Sequence, residues 1–324
     1  MRSGIEISDS LDPMTLSLRH LRYFIAAAES GQVSRAAVEL SVSQSTITAA
    51  IQHLESQLGA ALFSRHPHGV ALTLEGSSFL QHARNIIASV NDALRVDLAQ
   101  KVKVEGSVRV GVTYTVAGYF LPQHLARFGR THPGVRLKLR EAQRSAIEAD
   151  LAAGRLDIAV ILTSNIHDRA GLQFETLIRS KRRLWLPNDH PLMQSTEIRL
   201  AAVANEPYVM LTVDEAADTA QRYWERTPYR PKVVFRTSSV EAVRSMVANG
   251  GGVTILSDMV YRPWSLEGQR IETRDIDDSV PSMDVGLAWG RGAELSPPAK
   301  AFREFMGLTF GGGSGPGHPT PLHS

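Results

Sequence analysis

The 324-residue chain carries 35 Lys and Arg against 33 Asp and Glu, 43% hydrophobic residues and no cysteine. That length predicts two or three domains with a sizeable core, and the missing cysteines exclude disulfides, thiolate nucleophiles and Cys-type zinc sites. No apolar run is long enough to span a bilayer, and residues 1–20 lack the apolar segment of a signal peptide, so a cytoplasmic location is expected.

Residues 1–14 lack any apolar period and read as a disordered leader; residues 309–324, rich in Gly and Pro, read as a disordered tail. From Leu18 the pattern turns helical, with Leu21, Phe24, Ile25 and Ala28 on one face and Gly31 as a stop. Ser34 is the expected cap of a short second helix carrying Ala36, Ala37 and Leu40. Ser43 is the expected cap of a third helix, which turns Ile47, Ile51, Leu54 and Leu58 inward and stops at Gly59. Small Ala36 and Ala37 at a close crossing suit a helix-turn-helix. "LFSRHPHGVALT" then reads as two short strands around a turn, so residues 15–75 are predicted to form a winged helix-turn-helix.

Residues 76–104 read as a long linker helix, in which Phe79, Ala83, Ile86, Ile87, Val90, Leu94 and Leu98 recur at three- and four-residue steps. So narrow a stripe asks for a partner helix and predicts a homodimer formed through residues 76–104; the other reading packs this helix on its own domain. Residues 105–308 alternate strand and helix. "VRVGV", a helix over 117–130, "VRLKLR", a helix over 143–153 and "DIAVIL" form one series; "RRLWLP", "YVML", "KVVFR", a helix over 239–249 and "GVTIL" form a second. The pattern predicts parallel sheets with helices on both faces, in two lobes: about 105–178 with 283–308, and about 179–282. "RSKRR" at 179–183 reads as a solvated strand edge or loop, and "NGGGV" as a helix stop and turn, because it precedes a strand rather than opening a helix.

"LRHLRYFIAAAESGQVSRAAVELSVSQSTITAAIQHLESQLGAALFSR" followed by "LTLEG" resembles the LysR-type transcriptional regulators, and "HPGVRLKLRE", "GRLDIAVI", "NDHPL" and "NGGGVTIL" are similar to that family's effector domain in the same order. The resemblance spans roughly residues 16–308. It implies an α/β chain with an N-terminal winged helix-turn-helix, a linker helix for dimerisation and a bilobed effector domain similar to periplasmic binding proteins. It also implies a homotetramer on double-stranded DNA, RNA polymerase as a further partner, and DNA contacts that change when a small molecule enters the cleft.

A recognition helix brings the side chains of its first turns to base edges in the major groove. The candidates are Ser43, Gln44, Ser45, Thr48 and Ala49, with His53 further along, Ser34 and Arg35 on the second helix, and Arg65 and His68 in the wing. Gln44 can meet adenine in bidentate fashion and Ala49 can touch a thymine methyl. Ala49 and Ala50 stand where long basic or amide side chains are expected, so DNA shape and water must contribute more. Across residues 15–80, Arg19, Arg22, Arg35 and Arg65 balance Glu29, Glu39, Glu55 and Glu75. Two or three phosphate contacts per monomer would give log K against log salt a slope of only about −2 to −3.

For the effector, Thr113, Tyr114 and Thr115 lie where a strand gives way to a helix, and by the family pattern hydroxyls at this turn hold an effector's carboxylate. Thr163, Thr212 and Ser238 lie at other strand ends, while Ser239 is better placed as a helix cap. No cofactor and no metal site are expected; the unidentified effector is expected to be a carboxylate. Gly-x-Ser-x-Gly elbows, His-Glu-x-x-His, Walker loops and Gly-x-Gly-x-x-Gly are all missing from structured sequence, so an enzyme is not expected. The acid pairs Asp214–Glu215 and Asp277–Asp278 read as solvated surface. The alternative function is a small-molecule-binding protein with a degenerate DNA-binding domain, suggested by Ala49 and the neutral charge.

Overall fold

The structure, a computed structural model, describes residues 16–66, 69–94, 104–167 and 169–310. The chain divides into two compact units between Ala99 and Gln100.

In the first unit, Ser17 caps α1 (Leu18–Ser30) by accepting from the His20 N–H, and Gly31 closes the helix in the left-handed region at φ 68°. Only Gln32 separates that stop from α2 (Val33–Glu39), so Gln32 takes the cap position expected of Ser34, without a side-chain capping hydrogen bond. Ser34 falls in the first turn, exposed. Ser43 does cap α3 (Gln44–Leu58), accepting from the Thr46 N–H, and Gly59 ends it. Ala27, Ala36, Ala37, Ile47 and Ile51 form one buried cluster, where three alanines let α1, α2 and α3 approach closely. Leu58, expected inward, is exposed.

Strands β1 (Phe63–His66) and β2 (Gly69–Leu72) pair antiparallel as the wing. Gly69 is obligatory at its φ of 143°, since a Cβ there would lie 2.2 Å from the Gly31 carbonyl oxygen. The linker helix α4 (Leu74–Leu94) starts two residues before the expected point. Phe79, Ala83 and Ile87 join Leu21, Phe24, Leu54 and Leu62 in the second cluster of this unit. Three of the seven residues of the proposed dimer stripe are therefore used inside the unit, while Ile86 is exposed and Val90 half-buried. The side chain of Leu94, and Leu98 altogether, lie outside the described residues, as do the leader and tail.

The second unit has two lobes. The first is built from β3 (Gly106–Val112), α5 (Tyr114–Tyr119), α6 (Leu121–Thr131), β4 (Val135–Glu141), α7 (Arg144–Ala152), β5 (Ile158–Leu162) and β6 (Leu172–Ser180). The single helix expected over 117–130 is two, because the backbone leaves helical register at Phe120 and Pro122 restarts it. The other lobe holds β7 (Arg182–Pro187), α8 (Leu200–Val203), β8 (Pro207–Leu211), α9 (Ala216–Trp224), β9 (Lys232–Thr237), α10 (Val240–Ala248), β10 (Thr254–Ser257) and β11 (Ile271–Arg274). The chain then returns through β12 (Met283–Gly290) and α11 (Pro297–Phe310) to the first lobe.

The sheets are mixed rather than parallel. In the order β4-β3-β5-β12-β6, strands β3, β4 and β5 run parallel and the returning β12 is antiparallel to both neighbours. In the second lobe β7 is antiparallel to β10 and β11, β8 pairs parallel with β9, and a bridge from Tyr208 to Val253 joins the two groups. Helices cover both faces as expected: Leu184 and Leu186 of β7 point to one core with Trp224, and Trp185 points to another with Val240, Val243 and Val247. Within "RSKRR", Arg182 is buried, donating to the carbonyls of Pro281 and Ser282, and so is not part of a solvated edge.

Candidate functional site

The periodicity of α3 sorts its residues by face. Ile47, Ala50, Ile51 and Leu54 are buried, whereas Gln44, Ser45, Ala49 and Gln52 are exposed and Thr48 is half-exposed. Ala50 is therefore small because it is a core residue at 5% exposure; only Ala49 faces outward as a missing long side chain. Ser43 is bound up with its own helix, its hydroxyl 2.8 Å from that of Ser45 and 2.7 Å from that of Thr46. His53 turns off this face: its ring stands edge-on to that of His20 in α1 at 5.0 Å. Burial, together with His53 and Arg19, lowers the His20 pKa.

Gln52 was not among the expected DNA contacts. It lies seven residues after Ser45, about two turns along the same face, and the helical period alone was enough to place it there. Arg35 is exposed and pairs with Glu39 at 3.4 Å. The acids of this unit are turned to structural use: Glu29 pairs with Arg84 at 2.8 Å, and Glu55 accepts the Leu62 and Phe63 N–H groups at 2.7 and 3.2 Å, fixing the start of the wing. Arg65 lies on β1, but its side chain is outside the described residues, as is His68.

Between the lobes of the second unit, the threonine-rich turn is already occupied. The Asp214 carboxylate accepts the Thr115 N–H at 2.7 Å and the Thr115 hydroxyl. Next to it, Arg144 of α7 pairs with Glu215 at 3.1 Å and Glu148 at 2.8 Å. Asn165 donates to the Asp214 carbonyl at 3.0 Å and to Glu215 at 3.3 Å. Asp214 and Glu215 adopt φ of 50° and 54°, strained for non-glycine residues and more so for Glu than for Asp. The expectation of a solvated Asp214–Glu215 pair is overturned: three elements of the first lobe grip it.

Asp277 and Asp278 are likewise structural, accepting the Ile198 and Leu200 N–H groups at 2.6 and 2.5 Å. Thr163 belongs to its own lobe, bonding Thr176 at 3.2 Å and the Asp284 carbonyl at 3.4 Å, which removes it as a free effector ligand. Thr113 is buried, and its hydroxyl has no hydrogen-bond partner among the described residues. Tyr114, Thr212 and Ser238 are exposed, and Ser239 caps α10 as expected by accepting the Ala242 N–H.

A cavity of about 280 Å³ opens in this unit instead between Ser164, Asn165 and His167 of the first lobe and Thr219, Arg222, Tyr223 and Arg226 of the second, with Pro281 and Ser282 of the returning chain as a wall. Among the described residues, no cluster of His, Asp and Glu could hold a metal ion and no helix is long and apolar enough to cross a membrane.

Two family models match the chain: the bacterial regulatory helix-turn-helix protein of the lysR family over residues 18–77, and the LysR substrate binding domain over residues 102–310. The RuBisCO operon transcriptional regulator of Allochromatium vinosum is 31% identical over 90% of this chain and 96% of its own. The HTH-type transcriptional regulator YnfL of Escherichia coli is 30% identical over 90% of this chain and 97% of its own. Among solved structures, HinK, a LysR family transcriptional regulator from Pseudomonas aeruginosa, superposes with a TM-score of 0.59 at 25% identity, covering 90% of this chain and 97% of that one.

Proposed function

The chain belongs to the LysR-type transcriptional regulators, with a DNA-binding unit and an effector-binding unit, and on that premise we propose which of its residues read DNA and how it assembles. Regulators of this family are not enzymes; they bind DNA and small-molecule effectors and they oligomerise.

In this reading Gln44, Ser45, Thr48, Ala49 and Gln52 face the major groove, while Ser34, Arg35 and Arg65 meet phosphates. The observation that carries it is the two-sided burial of α3, which leaves this one polar face open beside a capped N-terminus. Gln52 supplies the long amide that Ala49 and Ala50 do not, so the unit needs no basic residue at those positions to contact an adenine edge. His53 drops out of the contact set, since it packs on His20.

The neutral charge count is offset by placement: Glu55 is held by backbone N–H groups and Glu29 by Arg84, leaving Arg19 and Arg22 without a carboxylate partner among the described residues. The protein works in the cytoplasm as a homodimer through the distal part of α4, or as a homotetramer of two such dimers. Ile86 and Val90 contribute the apolar surface that the unit's own core does not use.

The test is a footprint on the DNA upstream of this protein's own gene, at two salt concentrations, beside an unrelated duplex. Sequence-specific protection that weakens with a shallow salt slope, and that loses base preference in Gln44→Ala and Gln52→Ala more than total affinity, is expected. Equal loss on specific and random DNA would refute the reading roles of both glutamines. No protection at low salt would favour the degenerate DNA-binding reading.

A further inference from the structure

We infer that Arg222 and Arg226 form the anion-recognition element of the interlobe cavity, and that the effector is a small oxyanion, a phosphate monoester or a dicarboxylate. This deepens the functional reading above and rests on it.

Arg222 lies in the last turn of α9 and Arg226 in the turn that follows it, two residues past Trp224, and both line the cavity. Arg222 and Arg226 are exposed at the edge of the cavity, unlike the partly buried Arg144, Arg183 and Arg270, each of which has a carboxylate partner in Glu148, Asp258 or Glu272. Arg222 and Arg226 have none within ion-pair distance among the described residues; Arg222 donates instead to the Thr219 hydroxyl at 2.9 Å.

Behind the Pro281–Ser282 wall, buried Arg182 adds a third guanidinium, also without a carboxylate partner among the described residues. The nearest acid of the wall is Asp284, which takes the Ser282 hydroxyl at 2.6 Å and lies 3.8 Å from Arg179. His167 and Ser164 on the opposite lobe supply further donors across the gap. A cavity flanked by paired planar forks matches carboxylate or phosphate oxygens in bidentate fashion.

Asp214 sharpens the assignment. Because its carboxylate holds the Thr115 N–H and hydroxyl, an incoming anion meets the arginine pair without having to displace an internal one. A cavity of about 280 Å³ suits a small metabolite.

The experiment uses the full chain, with inorganic phosphate and succinate as probes at constant ionic strength set by chloride. Binding is read by thermal shift and calorimetry in the wild type, Arg222→Gln, Arg226→Gln, the double variant, and Arg236→Gln, which removes an exposed charge outside the cavity. One probe is expected to bind with 1:1 stoichiometry, about tenfold or more weaker in each cavity variant and unchanged in Arg236→Gln. Which probe binds tells phosphate from carboxylate. Binding that is the same in the wild type and the double variant, or absent from both for both probes, would overturn the inference. Arginine-dependent binding that leaves the DNA footprint unaltered would uphold this site and refute its role in regulation.

Discussion

Asp214 and Thr115, 99 residues apart in the chain, are joined by two hydrogen bonds to a single carboxylate oxygen, one from the Thr115 N–H at 2.7 Å and one from its hydroxyl. The bond pair ties the start of α5 in one lobe to the strained corner before α9 in the other. An internal acid thus fills the position that strand-to-helix logic reserves for an external one. The corner also leads directly into the helix that carries Arg222 and is followed by Arg226, so one short segment contributes to both the interlobe contact and the cavity.

Replacing Asp214 by Ala leaves the Thr115 N–H and hydroxyl without an acceptor and puts a poorly suited residue at φ 50°. A loss of about 1–3 kcal/mol from the second unit is expected, with Asn recovering part of it, since its amide oxygen still accepts and it tolerates the left-handed region. All four tryptophans, at 185, 224, 264 and 289, lie in this unit, so urea unfolding followed by tryptophan fluorescence reads it selectively. An Ala variant as stable as the wild type would show the contact to be dispensable.

Much of the framework was legible because it is local. Ser43, Gly31 and Gly59 mark helix ends through side-chain capping and left-handed backbone, and the apolar runs of β5 and β7 announce buried strands. Strands β6 and β12 are less legible: each carries the chain between lobes, and β6 has an irregular mix of buried and exposed residues. The occupied threonine turn was not legible at all, since nothing near Thr115 in sequence signals Asp214. At α3 the face was readable, but Ala50 and His53 were assigned outward where the core and His20 claim them. Gln52 is legible from the helical period alone.

Glu55 gives a prediction that runs against simple charge counting. Removing an acid from a DNA-binding unit should raise its affinity for phosphates. Here Glu55→Ala is expected to lower specific DNA affinity, because the Leu62 and Phe63 N–H groups lose their shared acceptor and the wing its anchor. The local cost is about 1–3 kcal/mol. Faster amide exchange at Leu62 and Phe63 together with weaker footprinting would bear this out. Tighter specific binding by the variant would mean that charge outweighs wing placement.

Ala49 and Ala50 are neighbours with opposite tolerances. Ala50→Leu inserts volume at a position that is only 5% exposed and should cost about 1–3 kcal/mol. Ala49→Arg adds a guanidinium to an open face, leaves stability nearly unchanged, and should steepen the salt slope of DNA binding by about 0.9 for one new phosphate contact. Binding isotherms across a salt series, with melting curves of each variant, separate the two. A destabilising Ala49→Arg would place Ala49 in the core instead.

His20 provides the pH dependence. Its Nδ1 is buried without a hydrogen-bond partner among the described residues, its ring meets that of His53 at 5.0 Å, and burial first, then His53 and Arg19, lowers its pKa from the ordinary 6.5. In the interval between the lowered native value and 6.5, the unfolded chain holds a proton that the folded chain does not. The contribution of His20 to stability is therefore complete above 6.5 and declines as pH falls through that interval. In His53→Ala the charge of the neighbour is removed but the burial is not, so the midpoint should rise only part of the way back to 6.5. An NMR titration of the His20 ring in the full chain, in the wild type and in His53→Ala, reads both midpoints. A wild-type midpoint at or above 6.5 would show the ring to be solvated and the packing of α1 on α3 looser than described.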